Sequence, residues 1–306
     1  MKILLATDGS ESARDAVDFL TAFPFPAGSE VAVVTVIKQV VPEEEVAGLS
    51  DEQRRTLEEA SGASQKEAGE LVAADAERLR DAGFIASTAL HTGHPAEEII
   101  RAAAEMGADL IAVGSHGMSG VKRFLLGSVS DHVFRYAPCS VLIVKQPTAL
   151  AEEGGPGPAF PAGERWRMLL AYDDSVPARK AVEFVTSLPL GDQMEVKVLS
   201  VLALIKMYRQ DIRQQLNWVW VEKKQKAKRL LETVSDQLRG ATPNVTSELV
   251  ESADVSQAIL DAGSAMPSDL IVLGHKGKGA IEKFLLGSVT ARVAHHACCS
   301  VLAVRK

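Results

Sequence analysis

Gly114-Ser-His-Gly117, nine residues, then Gly127-Ser128 returns in this chain as Gly274-His-Lys-Gly277, nine residues, then Gly287-Ser288. A glycine constellation written twice restricts the fold strongly, because each copy asks for the same close backbone approach in the same place. Aligned at a constant offset of 160, residues 109–145 and 269–305 agree at 18 of 37 positions without a gap, from Asp-Leu-Ile to Ala-x-Cys-Ser-Val-Leu-x-Val. This is an internal duplication. It reaches the start of each half: Lys2-Ile-Leu-Leu-Ala-Thr-Asp8-Gly-Ser-Glu-Ser-Ala13 is echoed by Met168-Leu-Leu-Ala-Tyr-Asp173-Asp-Ser-Val-Pro-Ala178 at an offset of 165. The five-residue difference is absorbed in the variable middle. The 306 residues hold two domains of about 150 each. We expect a first domain over 1–146, a linker over the Pro- and Gly-rich stretch 147–163, and a second domain over 164–306.

Hydrophobic patterning predicts the same element order in both halves. In the first, Lys2–Ala6, Val31–Ile37, Phe84–Leu90, Leu110–Val113 and Val141–Val144 read as strands. Between them lie helices opening at Ser10, over 51–82, over Ala96–Glu105 and over Val129–Tyr136. The second half offers strands at Met168–Ala171, Val196–Leu202, Val245–Val250, Leu270–Leu273 and Val301–Val304, with helices at 177–187, within 207–239, at 255–265 and at 289–296. Nearly uniform apolar strands alternating with helices point to a parallel sheet covered on both faces. The fold class expected is α/β, two tandem doubly wound (Rossmann-like) domains, each a mainly parallel five-stranded sheet flanked by helices.

A net charge of −7 and a pI near 5.6 oppose binding to nucleic acid or to an anionic membrane. One basic run, Lys223-Lys-Gln-Lys226-Ala-Lys-Arg229, sits in helical context and reads as a solvated face. The three cysteines, Cys139, Cys298 and Cys299, lack a disulfide spacing and suit a reducing compartment. The N-terminus turns polar at Thr7, and no apolar run approaches the roughly 20 residues needed to span a bilayer. The expectation is a soluble, cytoplasmic protein with neither nucleic acid nor membrane as partner.

Open α/β sheets bind ligands beyond the carboxyl ends of their strands. Asp8 and Asp173 end strand one of each half, and Gly114 and Gly274 end strand four, so all four belong to one rim of their sheets. Backbone N–H groups in Gly114-x-x-Gly117 can face an anion without a Cβ in the way. Gly127-Ser128 then opens a helix whose unpaired N–H groups and dipole suit phosphate. Turn formation alone would also use glycines here, but it does not require the same glycines plus Ser at the same gap twice.

The pattern G-x2-G-x9-G-S after a strand, paired with an early Asp after strand one, resembles the ATP-binding subclass of the universal stress protein family, in its tandem form. The resemblance implies that the early Asp and a backbone position ending strand two hold the nucleoside while the glycine motif holds the phosphates. Carried over, it designates Asp8, Val36, Gly114, Gly117, Gly127, Ser128 and Val129 in the first half and Asp173, Val201, Gly274, Gly277, Gly287, Ser288 and Val289 in the second. It implies ATP or a related adenine nucleotide as ligand, with Mg²⁺ or Mn²⁺, and a regulatory role in a stress response. It also implies an intramolecular pseudo-dimer of the two domains and leaves room for a homodimer.

The copies differ. Gly9 becomes Asp174, Gly120 becomes Ala280, Lys122 becomes Glu282 and Gly93-His94-Pro95 becomes Ser252-Ala253-Asp254. Added negative charge near a polyphosphate weakens binding, so the first site is expected to be the tighter, although Asp174 could instead assist a cation. Catalytic residues are not assigned. His91-Thr-Gly-His94 follows strand three and lacks a second copy, no P-loop is present, and Arg123 and Lys283 read equally well as surface residues. His116, between the motif glycines, reads as an exposed loop residue, and Asp131, His132, His295 and His296 as helix-surface positions. A slow ATP-hydrolysing enzyme and a dimerisation module with a vacant second site are the alternatives to a nucleotide-binding regulator.

Overall fold

The computed structural model describes residues 1–38, 48–117, 126–146, 160, 165–204, 217–277 and 286–305. They divide into two compact units, Met1–Val144 and Lys145–Lys306. Apart from Phe160, the stretch 147–163 expected as a linker lies outside the described residues.

In the first unit the order is β1 (Lys2–Ala6), α1 (Glu11–Ala22), β2 (Glu30–Ile37), α2 (Asp51–Asp81), β3 (Ile85–Thr92), α3 (Pro95–Glu105), β4 (Leu110–Gly114), α4 (Ser128–Tyr136) and β5 (Ser140–Val144). The strands lie side by side as β3-β2-β1-β4-β5, every neighbour parallel. The second unit repeats this with β6 (Trp166–Ala171), α5 (Val176–Thr186), β7 (Met194–Ala203), α6 (Asn217–Leu238), β8 (Asn244–Ser252), α7 (Val255–Ala265), β9 (Leu270–Gly274), α8 (Ser288–His296) and β10 (Ser300–Val304). A 3₁₀ turn over Gly191–Gln193, which periodicity does not reveal, precedes β7. Its strands run β8-β7-β6-β9-β10, again all parallel. The doubly wound α/β class is the observed one. Among the described residues no helix is long and apolar enough to cross a membrane.

Strands β4, β5, β9 and β10 are buried at every residue, which is why they read as unbroken apolar runs. The outermost β3 has no fully buried residue, and its observed span begins and ends later than the apolar letters suggest. Helix α1 turns Ala13, Ala16, Val17 and Leu20 inward, one stripe at helical spacing. The repeated Asp-Leu-Ile has a structural explanation. Asp109 accepts the backbone N–H of Lys2 at 2.8 Å and Asp269 that of Arg167 at 2.7 Å, so each carboxylate fixes the start of its unit's first strand beside its fourth.

One buried carboxyl has no second copy. Asp75 on α2 is almost fully enclosed and accepts the Thr7 hydroxyl at 3.0 Å. The buried set Val72, Asp75, Ala76 and Leu79 of α2 recurs as Leu231, Val234, Ser235 and Leu238 of α6, so Val234 stands where Asp75 does. Burial raises the Asp75 pKa above its usual 3.8, against the lowering pull of the Thr7 hydrogen bond and of Arg78 and Arg14. A raised carboxyl pKa means the folded state binds the proton more readily than the unfolded one, so stability from this group is lost as pH rises past 3.8. Asp75→Asn, which keeps an acceptor for Thr7, is therefore expected to raise the melting temperature at pH 7, the gain shrinking as pH falls toward 3.8. Thermal unfolding of the two proteins across pH checks this, and a loss of stability at pH 7 would contradict it.

Candidate functional site

The rim of each unit is built from three short segments. The first is the turn after β1. Asp8 Oδ1 accepts the N–H of Ser10 at 3.0 Å, and Ser10 in turn caps α1 by accepting the N–H of Ala13 at 3.2 Å. Asp173 and Ser175 do the same in the second unit, at 3.0 and 3.2 Å. Gly9 takes the left-handed conformation, φ 74°, and Asp174 keeps it at φ 60°. Asp is one of the few residues with a side chain that tolerates this region, so the replacement preserves the turn.

The second segment is the glycine turn after β4 and β9. A Cβ on Gly114 would lie 2.4 Å from the Ser12 carbonyl oxygen, and one on Gly274 2.6 Å from the Pro177 carbonyl carbon. These two glycines let the strand end pass beneath the first turn of α1 or α5. Gly117 and Gly277 differ in kind, since a Cβ there would meet Asp8 Oδ2 at 2.7 Å and Asp173 Oδ2 at 2.8 Å. The acid of the first segment and the second glycine of the motif therefore touch in both units. The hydroxyls of Ser130 and Thr290 donate to the Gly114 and Gly274 carbonyls at 2.7 and 2.8 Å and hold the turn onto the next helix. Neither hydroxyl is distinguishable in sequence from an ordinary polar helix residue.

The third segment is the start of α4 and α8. Gly127 and Gly287 are the N-cap residues, and neither helix has a side-chain cap. Ser10 and Ser175 do cap α1 and α5 on the same rim. The first turns of α4 and α8 thus keep N–H groups that a capping hydroxyl would otherwise occupy. The backbone N–H of Gly127 donates to Ser115 O at 2.8 Å, as that of Gly287 does to His275 O, folding this helix start back against the glycine turn.

In the second unit these segments border a cavity of about 500 Å³. Asp173, Val201, Gly274, Gly277 and Val289 line it, together with Tyr172 and the α6 residues Lys223, Lys226, Ala227 and Leu230; Gly287 and Ser288 are not part of its wall. In the first unit Val36 lies near the end of β2, paired with His91 of β3, and Val129 follows Ser128 in the first turn of α4. Arg123, Lys122, Gly120, Lys283, Glu282 and Ala280 lie outside the described residues.

Three expectations change at this level. Asp174 does not stand as an uncompensated charge: Arg179 bonds its carboxylate at 2.8 Å and Tyr172 donates its hydroxyl at 3.3 Å. Burial, and then the adjacent Asp174, pushes the Tyr172 hydroxyl up to about 12, so it remains a donor. Asp254 is the N-cap of α7, opposite His94 at the start of α3. It caps the Gln257 N–H at 3.0 Å and pairs with Arg292 at 2.6 Å, which together hold its pKa low. Its alignment with Pro95 gives way to the helix register. His116 is half-buried rather than exposed, with Nδ1 2.9 Å from the Ser115 hydroxyl and Nε2 buried without a hydrogen-bond partner among the described residues.

The remaining motifs have local partners. His91 lies 3.5 Å from Glu98, and His94 caps the start of α3 with its backbone alone. Asp131 pairs with Arg135 at 2.8 Å, and His132 packs on Tyr136 with ring centroids 4.6 Å apart. Burial pushes the Cys299 thiol up to about 12, which keeps it protonated. Among the described residues no group of three or more His, Cys, Asp or Glu is arranged to hold a metal ion.

The sequence pattern of the Universal stress protein family matches residues 1–145 and again 165–305. The universal stress protein YxiE of Bacillus subtilis is 33% identical over 145 residues, covering 47% of this chain and 98% of that protein. The universal stress protein MJ0577 of Methanocaldococcus jannaschii is 33% identical over 153 residues, covering 47% and 94%. Across the whole chain, the crystal structure of a universal stress protein from Archaeoglobus fulgidus superposes with a TM-score of 0.59 at 22% identity, covering 100% of this chain and 96% of that one, a likeness of fold.

Gly114→Ala forces a Cβ into backbone and is expected to destabilise the first unit by about 1–3 kcal/mol or more, the usual cost of overpacking. Gly117→Ala meets only a carboxylate oxygen that can swing aside, so its effect on stability is smaller. Urea denaturation of both variants checks this; equal destabilisation would mean that Gly117, too, is a packing residue.

Proposed function

The chain belongs to the universal stress protein family, and on that premise we propose that each unit binds an adenine nucleotide, ATP or a close relative, whose presence sets the protein's regulatory state in a stress response. The observation that carries this reading is the helix N-terminus left open by a glycine cap, folded against a glycine turn that touches the early aspartate, and built the same way twice. Free N–H groups and the positive end of a helix dipole favour phosphate oxygens. The turn glycines keep the approach clear of side chains. Gly117, Gly127, Ser128 and Val129, with Gly277, Gly287, Ser288 and Val289, are the phosphate side of this reading. Asp8 and Val36, with Asp173 and Val201, are the nucleoside side, and Gly114 and Gly274 support the turn from behind. Mg²⁺ or Mn²⁺ would arrive on the polyphosphate and offset its charge there.

On this reading the output is the bound state rather than turnover, and any hydrolysis is slow beside the enzyme median of about 10 per second. Backbone atoms near Val36, rather than base-reading side chains, would meet the adenine edge. ATP is accordingly expected to compete out GTP in equilibrium titrations of the purified chain, and equal affinities would remove the adenine assignment. Ser128→Glu sets a carboxylate where phosphate would sit. It is expected to weaken nucleotide binding in the first unit at least about tenfold with the fold retained, since each lost charge-assisted hydrogen bond contributes about 1.5–3 kcal/mol. Unchanged affinity in the first unit would refute the reading. Mass spectrometry of ligand released on denaturing gently purified protein gives an independent check.

A further inference from the structure

Every Lys and Arg in the basic run of α6 is solvent-exposed, and two of them also border a cavity. Lys223, Lys226, Ala227 and Leu230 fall on one helical stripe, and that stripe forms a wall of the second unit's cavity. The intervening Lys224 turns to the sheet and pairs with Glu251 at 2.6 Å. Lys223 and Lys226 have no ion pair or side-chain hydrogen bond among the described residues. The acids that share this wall are engaged elsewhere: Asp173 accepts from the Ser175 N–H, and Asp174 is paired with Arg179. A cavity in a chain of net charge −7 therefore presents two ammonium groups, one turn apart, neither of them ion-paired to Asp173 or Asp174 across the cavity.

The first unit lacks this feature. Val72, Asp75, Ala76 and Leu79 of α2 match Leu231, Val234, Ser235 and Leu238 of α6 in burial and spacing. The same register sets Leu71, which packs by Gly9, against Leu230, and puts Ser64 and Glu67 where the second unit has Lys223 and Lys226. One copy carries lysine where the other carries serine and glutamate.

Sheet order fixes which part of a ligand the lysines would meet. The glycine turn follows β9, whereas α6 packs on β7 and β8, with β6 between β9 and β7. Neighbouring strands are about 4.8 Å apart, so the lysine wall lies on the order of 10 Å along the rim from the phosphate turn. A 5′-polyphosphate at the turn leaves the nucleoside to span that distance. An anion at the far end must then be carried by the nucleoside itself.

We propose that the second unit selects an adenine nucleotide bearing a further phosphate on its ribose, and that Lys223 and Lys226 are the residues that recognise this phosphate. The proposal rests on the nucleotide reading given above.

The test uses the full chain with Asp8→Ala weakening the first site, and compares ADP with ADP carrying a ribose 3′-phosphate by calorimetry. The 3′-phosphorylated ligand is expected to bind the second unit at least about tenfold more tightly, the size of one charge-assisted contact, with the advantage shrinking at high salt. Lys223→Gln with Lys226→Gln, both at solvent-exposed positions, should erase that advantage and leave ADP affinity nearly unchanged. Equal affinities for the two ligands, or an advantage that survives the double substitution, would overturn the proposal while leaving the nucleotide reading standing. Binding of neither ligand by a chain that still melts cooperatively would instead remove the nucleotide reading, and this inference with it.

Discussion

The rim of each unit depends on one close approach, the passage of the fourth strand's end under the first turn of the first helix. Gly114 lies against the Ser12 backbone and Gly274 against Pro177 and Ala178, at separations no Cβ would permit. This contact brings the turn after β1 and the turn after β4 within reach, so that Asp8 and Gly117 can touch. The start of α4 then folds back through the Gly127 N–H and the Ser130 hydroxyl. Without it, three short segments that share a rim in the topology would not share a site.

On that common frame the two copies have diverged in concert. Thr7 donates to Asp75 in the first unit, whereas Tyr172, its counterpart, donates to Asp174, and Val234 replaces the buried acid. The turn residue changes from Gly9 to Asp174 without leaving the left-handed region, and the added charge meets Arg179. Arg179 is the counterpart of Arg14, which bonds the Gly9 carbonyl at 3.1 Å. The negative charge that distinguishes the second copy on paper thus meets an arginine that both copies carry. The larger electrostatic difference lies on the other wall, in the lysines of α6.

Much of this was legible in the chain itself. The glycine motif, written twice, locates the glycine turns of the rim, and the unbroken apolar runs locate β4, β5, β9 and β10, because strands buried on both faces leave no polar alternation to misread. Element ends were less legible where tertiary contacts set them. Strand β8 runs from Asn244 to Ser252, past its apolar letters at both ends, because backbone pairing with β7 continues there whatever the side chains are.

What the sequence by itself determined is the duplication, the parallel α/β class, and the residues gathered at the carboxyl ends of the strands, since each follows from spacing and periodicity along the chain. Only the tertiary structure separated Gly114, which packs on backbone, from Gly117, which faces a carboxylate. Only it supplied Asp174 with Arg179 and turned Lys223 and Lys226 toward a cavity while Lys224 turned to Glu251. The physical reason is the same in each case. A residue's type and spacing fix the face on which it lies, but its charge and its bulk acquire meaning only from the groups that another element brings opposite them.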